Sequence, residues 1–367
     1  MKVAIITIFG KNNYGNRLQN YALQEVVKEV GADVVSLVPE KQKKYPVYIL
    51  RKMAIIFNSF IQRMNISIEI RRKLKFDLFT DKYINSKWIF GKTRRLKKSL
   101  SSSFDYFITG SDQVWNPNFW SKEEELDMMS NYLLSFSEES KRIAYAASIG
   151  INDLPNRFKN EFYISLKKFH AISVREYSAI QILDGIGIKN ANLVLDPTLL
   201  VGREKWRSIE SDKLSSDKES YILLYFLGNL EIETEKIISE MARIMDLKIL
   251  NLMDKTNPLY VSGPETFLEA IDKAKLVVTD SFHAIAFSLI FNTPFIALNR
   301  QQKNFEDMSS RLISLLHEVG LENRFVEPKD ITQSFLSCDF GHANEKLEIL
   351  RYKSKMYIFN ALSGEAE

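Results

Sequence analysis

The sequence predicts an α/β protein of two Rossmann-like domains facing a cleft, with a helical basic insertion and a C-terminal helix. Three observations carry this. Short apolar runs of strand length recur along the chain, as in KVAIITI (2–8), FDYFITG (104–110) and KLVVTD (275–280). Stretches of helical periodicity separate them, as parallel sheets require, because each parallel crossover takes a dozen or more residues. The length of 367 residues exceeds what one ordinary core serves, so two domains of roughly 150–180 residues are expected.

Taken in order, KVAIITI is a buried strand, FGKNNYGN a loop, and Arg17–Val30 a helix closed by Gly31; ADVVSLV completes an opening βαβ. Residues 41–100 read as a basic helical elaboration. The sheet resumes at FDYFITG, RIAYAAS (142–148) and AISVR (171–175). At ILDGIGIKNANLVLDP (182–197) Gly, Asn and Pro cluster between periodic segments, which marks the passage to a second domain. There SYILLYF (220–226), LKILNLM (247–253), KLVVTD and PFIAL (294–298) are strands, with helices near 231–244, 265–273, 282–292 and 310–319. Ser262-Gly263-Pro264-Glu265 has capping-box spacing before the second of these helices. The expected domains are 1–190 and 191–340, with a helix in 341–367 packing back on the first.

A single cysteine, Cys338, excludes an intramolecular disulfide framework and a Cys-based zinc site, and the four histidines lack metal-ligand spacing, so no metal site is expected. MKVAIITIFG lacks the longer apolar core of a signal peptide. The uncharged stretch Met53–Gln62 falls far short of the roughly 18–20 apolar residues of a membrane span. A cytoplasmic protein is expected. Net charge is +4, yet residues 41–75 carry ten Lys/Arg against one acid, Glu69, leaving −5 on the remainder. This segment reads as a solvated basic hairpin or as a docking face for an anionic membrane, with Tyr48, Ile49, Met53, Ile56, Phe57 and Phe60 as its apolar side. No nucleic-acid motif accompanies the charge, so nucleic acid is not an expected partner.

In parallel sheets, ligands bind beyond the carboxyl ends of strands, where the next helix N-terminus attracts anions. Four such positions hold unusual residues. Asn13, Gly15 and Asn16 follow the first strand and offer backbone N–H groups to an anion or a sugar hydroxyl, with Asn16 as a helix cap in the plainer reading. Ser111, Asp112, Gln113 and Trp115 follow FDYFITG; such groups bind carbohydrate hydroxyls, and Trp115 is either a stacking face or core beside an Asx-turn. Arg175 ends AISVR, suited to bidentate recognition of carboxylate or phosphate, or to an ordinary pair with Glu176. Asp280, Ser281 and His283 join a strand to a helix in LVVTDSFHAIAFSLIFNTPFIAL. There Asp280 and Ser281 could serve as caps, whereas an anionic ligand would keep His283 protonated and useful as an acid.

These residues resemble the polysaccharide pyruvyl transferases. The likeness lies in NYGNRLQNYAL, FDYFITGSDQVWNP, ISVRE, LVLDPTLL and GPETFLEAIDKAKLVVTDSFHAIAFSLIFNTPF, collinear from about residue 1 to 320. The resemblance implies a GT-B-like fold and transfer of pyruvate from phosphoenolpyruvate to two hydroxyls of a sugar as a cyclic ketal, in bacterial surface polysaccharide biosynthesis, without a cofactor. By the resemblance Arg175 matches an arginine that binds the donor and His283 the donor-site histidine; for the reaction so implied, His283 is assigned as acid/base, Ser281 and Asp280 to donor binding, and Asp112 to orienting an acceptor hydroxyl. Asn13, Gly15, Asn16, Ser111, Gln113 and Trp115 would contact the acceptor, which can be lipid-linked at the inner membrane face. Two positions depart from the family pattern: Ser281 stands where many members have Arg, and Asn16 where many have Asp. The rival readings are a nucleotide-sugar glycosyltransferase and a non-catalytic saccharide-binding assembly protein. Against the first, no Glu occurs between Asp280 and Glu306. The absent arginine keeps the second in play.

Overall fold

The apolar runs pair as parallel strands, and the central ones are buried on both faces as covered α/β sheets demand. The computed structural model describes residues 1–9, 12–57, 66–214, 220–300 and 309–364. The chain divides into two compact units, Met1–Leu200 with Arg351–Glu367, and Val201–Leu350.

In the first unit, β1 (Lys2–Ile6), β2 (Asp33–Lys41), β3 (Ser86–Gly91), β4 (Tyr106–Asp112), β5 (Arg142–Ala147), β6 (Ala171–Val174) and β7 (Asn192–Leu193) form one sheet in the order β3-β2-β1-β4-β5-β6-β7. All pairings are parallel. In the second, β8 (Tyr221–Tyr225), β9 (Lys248–Asn251), β10 (Leu276–Thr279) and β11 (Phe295–Ala297) lie in the order β11-β10-β8-β9, also parallel. Strand order reverses between β1 and β4 in one sheet and between β8 and β10 in the other, and such reversals open the ligand crevice of a doubly wound sheet. The expected parallel α/β class is the one observed, with one sheet in each unit.

Local chemistry explains where elements differ from expectation. The first helix, Tyr14–Lys28, starts earlier than expected because Asn13, not Asn16, is its cap: the Asn13 side chain accepts the Asn16 N–H at 3.3 Å. The region 41–100 is not wholly helical. It contains β3, whose KWIFG run pairs with β2 from Ser36↔Ser86 to Lys41↔Gly91, its apolar core hidden in the sequence by flanking lysines. No capping box forms at Ser262; Gly263 is the cap without a side-chain bond, and Pro264, with φ pre-set for the first turn, starts the helix Pro264–Asp272. The last helix, Gly341–Ser363, contributes its second half to the first unit, where the Ser354 hydroxyl accepts the Leu195 N–H at 2.9 Å and Lys355 pairs with Glu29 at 2.7 Å.

The basic segment is less solvated than its composition implies. Arg72 is buried, its guanidinium over the rings of Tyr14 and Phe76 at 4.9 and 5.4 Å. Arg51 and Lys73 converge on Asp77 at 3.0 and 2.9 Å, and Lys52 pairs with Asp81. These acids lie just beyond the stretch 41–75, whose one acid is Glu69. Phe60 and Arg63 lie outside the described residues.

Trp115 is a correction. Its side chain is wholly buried in the first unit's core, edge-on to Phe162 and Phe169 with centroids 6.3 Å away, and its Nε1 donates to the Tyr132 carbonyl at 3.1 Å. Both ring faces are occupied by protein, so it offers no platform to a sugar. Replacing so large a buried aromatic, Trp115→Ala, is expected to destabilise the protein by about 3–5 kcal/mol, measured from the denaturant midpoint; a loss below about 1 kcal/mol would return the ring to a ligand-facing role.

Candidate functional site

In the first unit β4 bends sharply at its carboxyl end, Gly110-Ser111-Asp112. Gly110 has φ +114, and a side chain there would run into the Tyr145 carbonyl, so only glycine fits. Asp112 sits at φ 70, a left-handed conformation that Asp tolerates better than most residues. This turn aims its carboxylate into a buried polar network. Asp112 Oδ1 accepts from the Arg175 guanidinium at 3.0 Å and from the Gln113 N–H at 2.9 Å, while Oδ2 accepts the Asn16 side-chain amide from across the β1/β4 reversal. The other face of Arg175 donates to Asp196 at 2.7 Å, and Asp196 also accepts from the Ser111 hydroxyl at 2.7 Å and from the Thr198 N–H at 3.0 Å. Glu176 lies 3.9 Å from Arg175 Nε and takes the N–H groups of Ile149 and Gly150 at 2.8 and 3.1 Å. Burial alone would lower the Arg175 pKa, but the attraction of Asp112, Asp196 and Glu176 outweighs it and raises the pKa above its ordinary value.

This geometry corrects several expected ligand contacts. Arg175 is no open anion clamp: it is fully buried and its charge faces three carboxylates of its own chain. Ser111 and Gln113 are buried and internally bonded, the first to Asp196 and the second to Asn116 at 2.8 Å. Asn13 serves as the helix cap, and Gly15 is buried in the helix's first turn. Asp112 and Asn16 remain. Asp112 has an 8% exposed side chain where Arg175, Glu176 and Asp196 have 0%. The Asn16 side-chain oxygen is buried with no hydrogen-bond partner among the described residues, an atom that a ligand hydroxyl would satisfy. Asparagine in place of the family's aspartate also has a physical consequence here: its amide donates to Asp112, where a second carboxylate would repel it.

In the second unit Asp280 plays the matching part. It follows β10 and accepts the N–H groups of Leu227 and Gly228, beyond β8, at 2.7 Å each, closing the β8/β10 reversal. Arg300, beyond β11, donates Nε to the Asp280 carboxylate and a terminal nitrogen to its carbonyl, both at 3.1 Å. Sequence reading missed Arg300, although its place just past PFIAL is the same strand-end signal that singled out the others. Asp196 and Glu176 were missed as site residues for the same reason. Arg300 supplies a guanidinium at the strand end where Ser281 leaves one out. Ser281 caps the helix Phe282–Phe291 without using its hydroxyl on the helix, and its own N–H is held by Thr279 at 3.0 Å. His283 sits in the first turn, 7% exposed, with its ring edge-on to Phe282 at 5.4 Å. A helix N-terminus, a guanidinium and an imidazole thus gather at one strand end, a set suited to an anion and to proton transfer. Among the described residues no group of three or more His, Cys, Asp or Glu could hold a metal ion.

The structure is similar to that of the Neisseria meningitidis UDP-GlcNAc 2-epimerase bound to UDP-GlcNAc, with TM-score 0.50 and 11% identity over 99% of each chain. It is also similar to the Methanocaldococcus jannaschii UDP-GlcNAc 2-epimerase in complex with UDP-GlcNAc and UDP, with TM-score 0.43 and 14% identity over 96% of this chain and 100% of that one. For the Escherichia coli ADP-heptose lipopolysaccharide heptosyltransferase II the values are TM-score 0.40 and 12% identity over 96% of this chain and 99% of that one. The likeness to the Neisseria enzyme concerns fold alone. No curated protein matches the chain significantly in sequence. The sequence profile described as polysaccharide pyruvyl transferase matches residues 13–302, a span that runs from the Asn13 cap through Asp112, Arg175, Asp196 and His283 to Arg300, and the chain therefore belongs to the polysaccharide pyruvyl transferase family.

Proposed function

We propose that this protein transfers pyruvate from phosphoenolpyruvate to two hydroxyls of a sugar, forming a cyclic ketal and releasing inorganic phosphate. The observation that supports this reading most directly, beside family membership, is His283 in the first turn of its helix with the Asp280–Arg300 pair at the same strand end. In this proposal the second unit holds the donor. Backbone N–H groups of the helix start and Ser281 receive the phosphate, Arg300 contributes positive charge, and Asp280 fixes the guanidinium. His283 delivers a proton to the enol CH₂, which becomes the methyl group. The first sugar hydroxyl then bonds to C2 and loses its proton; the C2–O bond to phosphate breaks, and the second hydroxyl closes the ring with loss of its own proton. One proton is thus taken up at carbon and two are released from oxygen, the second being carried by phosphate or solvent. The first unit holds the acceptor, with Asp112 and Asn16 orienting a hydroxyl and Arg175 positioning Asp112 from behind.

The acceptor in this proposal is lipid-linked, and the protein meets it at an anionic membrane surface. No described helix is long and apolar enough to cross a membrane. The helix Tyr45–Ile56, however, has no buried residue. Val47, Leu50, Met53, Ile56 and Phe57 are 57%, 64%, 48%, 74% and 54% exposed, beside the exposed Lys43 and Lys44. That pairing of apolar and basic side chains favours an interfacial helix, each lysine near an anionic surface contributing about 1 kcal/mol.

Three measurements test these assignments. Release of phosphate from phosphoenolpyruvate, with a matching mass gain on a saccharide acceptor, is expected for the wild type; His283→Ala should fold normally and lose about 10²–10⁴-fold in turnover, while Arg300→Ala should weaken donor binding. Near wild-type turnover in a folded His283→Ala would sink the acid/base role. Arg175→Ala, by leaving buried carboxylates uncompensated, is expected to cost about 3–5 kcal/mol of stability; an unchanged denaturant midpoint with weakened phosphoenolpyruvate binding would restore the clamp reading. Finally, the protein should pellet with anionic but not neutral vesicles, less so as salt rises past a screening length of about 8 Å. Lys43→Gln with Lys44→Gln, or Leu50→Ser with Ile56→Ser, should reduce pelleting. Equal pelleting with both vesicle types, or with neither, would return the helix to an ordinary solvated face.

A further inference from the structure

A cavity of about 500 Å³ in the first unit belongs to neither strand-end cluster. It is lined by the loop that follows β3 and by the end of the helix Glu125–Tyr132, and four of its lining residues are cations: Lys92, Arg95, Lys97 and Lys98. No acid lines it. The neighbouring acids are already taken: Glu124 pairs with Arg94 at 3.1 Å and with Lys41 at 2.7 Å, and Asp127 accepts the Arg94 N–H at 3.0 Å. Among the described residues none of the four lining cations has a carboxylate within 4.0 Å. All four are exposed, so water and salt screen their mutual repulsion, and an anion seated among them would gain the attraction of several charges at once.

The loop is also held in place. Asn131, wholly buried, accepts the Leu96 N–H and donates to the Arg94 carbonyl, both at 2.9 Å, which fixes the backbone on either side of Arg95. Arg95 is set further by its Nε, which donates to the Ser130 hydroxyl at 3.2 Å, and by its N–H on the Thr93 hydroxyl at 3.2 Å. Its terminal nitrogens make no hydrogen bond among the described residues, and a guanidinium anchored in this way presents its free edge for a bidentate contact. The hydroxyl of Ser135 adds a neutral donor, and Leu96 and Phe136, each 3% exposed, provide an apolar floor.

The geometry points to a binding site for a diphosphate group with an organic substituent, separate from the donor site. Four cations call for more than one negative charge. The volume lies within the roughly 300–1,000 Å³ of small-molecule sites and exceeds what a lone phosphate fills, and the floor suits a sugar or hydrocarbon face. Nucleoside diphosphates and isoprenyl diphosphates share this chemistry. The inference does not depend on pyruvyl transfer, because no residue of the cavity is part of the Asp112 or His283 clusters.

Calorimetric titration of the full chain at low and moderate salt tests it with four probes: orthophosphate, inorganic diphosphate, uridine diphosphate and farnesyl diphosphate below its micelle concentration. Diphosphates should bind at least about tenfold tighter than orthophosphate, more weakly as salt rises, and Arg95→Ala with Lys97→Ala should lose about tenfold or more, the scale of a lost charge-assisted hydrogen bond. Arg95→Lys should recover only part of this, because lysine keeps the charge but not the fork. Preference for the nucleotide or for the isoprenyl probe identifies the source of the group, and equal affinity for all three diphosphates assigns recognition to the diphosphate alone. Absence of saturable diphosphate binding, or unchanged binding in the double variant with an unchanged melting midpoint, would overturn the inference. Since the readout is binding and not turnover, its failure is distinguishable from failure of the proposed reaction.

Discussion

The guanidinium of Arg175 is the interaction on which the first unit's strand ends depend. Asp112 ends β4, Glu176 follows β6 and Asp196 follows β7, and all three face this one cation. Asn16, beyond β1, and Ile149 and Gly150, beyond β5, join through Asp112 and Glu176. Five strands are thus tied at their carboxyl ends. Buried charges survive only when paired and hydrogen-bonded. One cation cannot neutralise three carboxylates, so N–H and O–H donors supply the rest: Gln113, Thr198, Ile149 and Gly150 from the backbone, Asn16, Ser111 and Thr198 from side chains. This requirement explains the concentration of small polar residues at otherwise apolar strand ends.

The second unit meets the same constraint with fewer parts. Its reversal of strand order is closed by one carboxylate, Asp280, on two backbone N–H groups and one guanidinium. In both units, then, an aspartate one residue past, or at the last residue of, the strand flanking the reversal stitches it to the chain beyond the neighbouring strand. The stitch leaves a fixed strand end beside which polar side chains sit: Asn16 and Asp112 in one unit, His283 in the other. Rigid support of this kind is what holds a binding group in a useful geometry.

The positive charges of the chain divide into two populations by their partners. Arg17, Arg51, Arg72 and Arg175 are buried or nearly so and pack on rings or carboxylates. Lys43, Lys44, Lys92, Arg95, Lys97 and Lys98 stand exposed without such partners among the described residues. Local density of Lys and Arg does not separate these groups, because Arg72 lies in the middle of the most basic stretch and is among its most buried residues. Ionic partners distant in sequence decide the outcome, as Asp77 and Asp81 do for Arg51 and Lys52.

By itself the sequence determined the alternation of strands and helices, the parallel class of both sheets, and the strand ends where polar residues gather. Each of these follows from local periodicity and from the crossover length of parallel strands. Strand-end position alone was enough to single out Asp112, Arg175, Asp280 and His283, and the same rule applied once more would have found Asp196 and Arg300. It did not reveal β3, since an edge strand of five apolar-rich residues between lysines has too short a period to be read. Nor did it assign roles within the clusters. Whether Arg175 faces a ligand or three carboxylates, whether Trp115 stacks on a sugar or fills a core, and which asparagine caps the first helix depend on groups up to a hundred residues apart. Only the tertiary structure decided these, because burial and pairing are properties of what the folded chain brings alongside a residue.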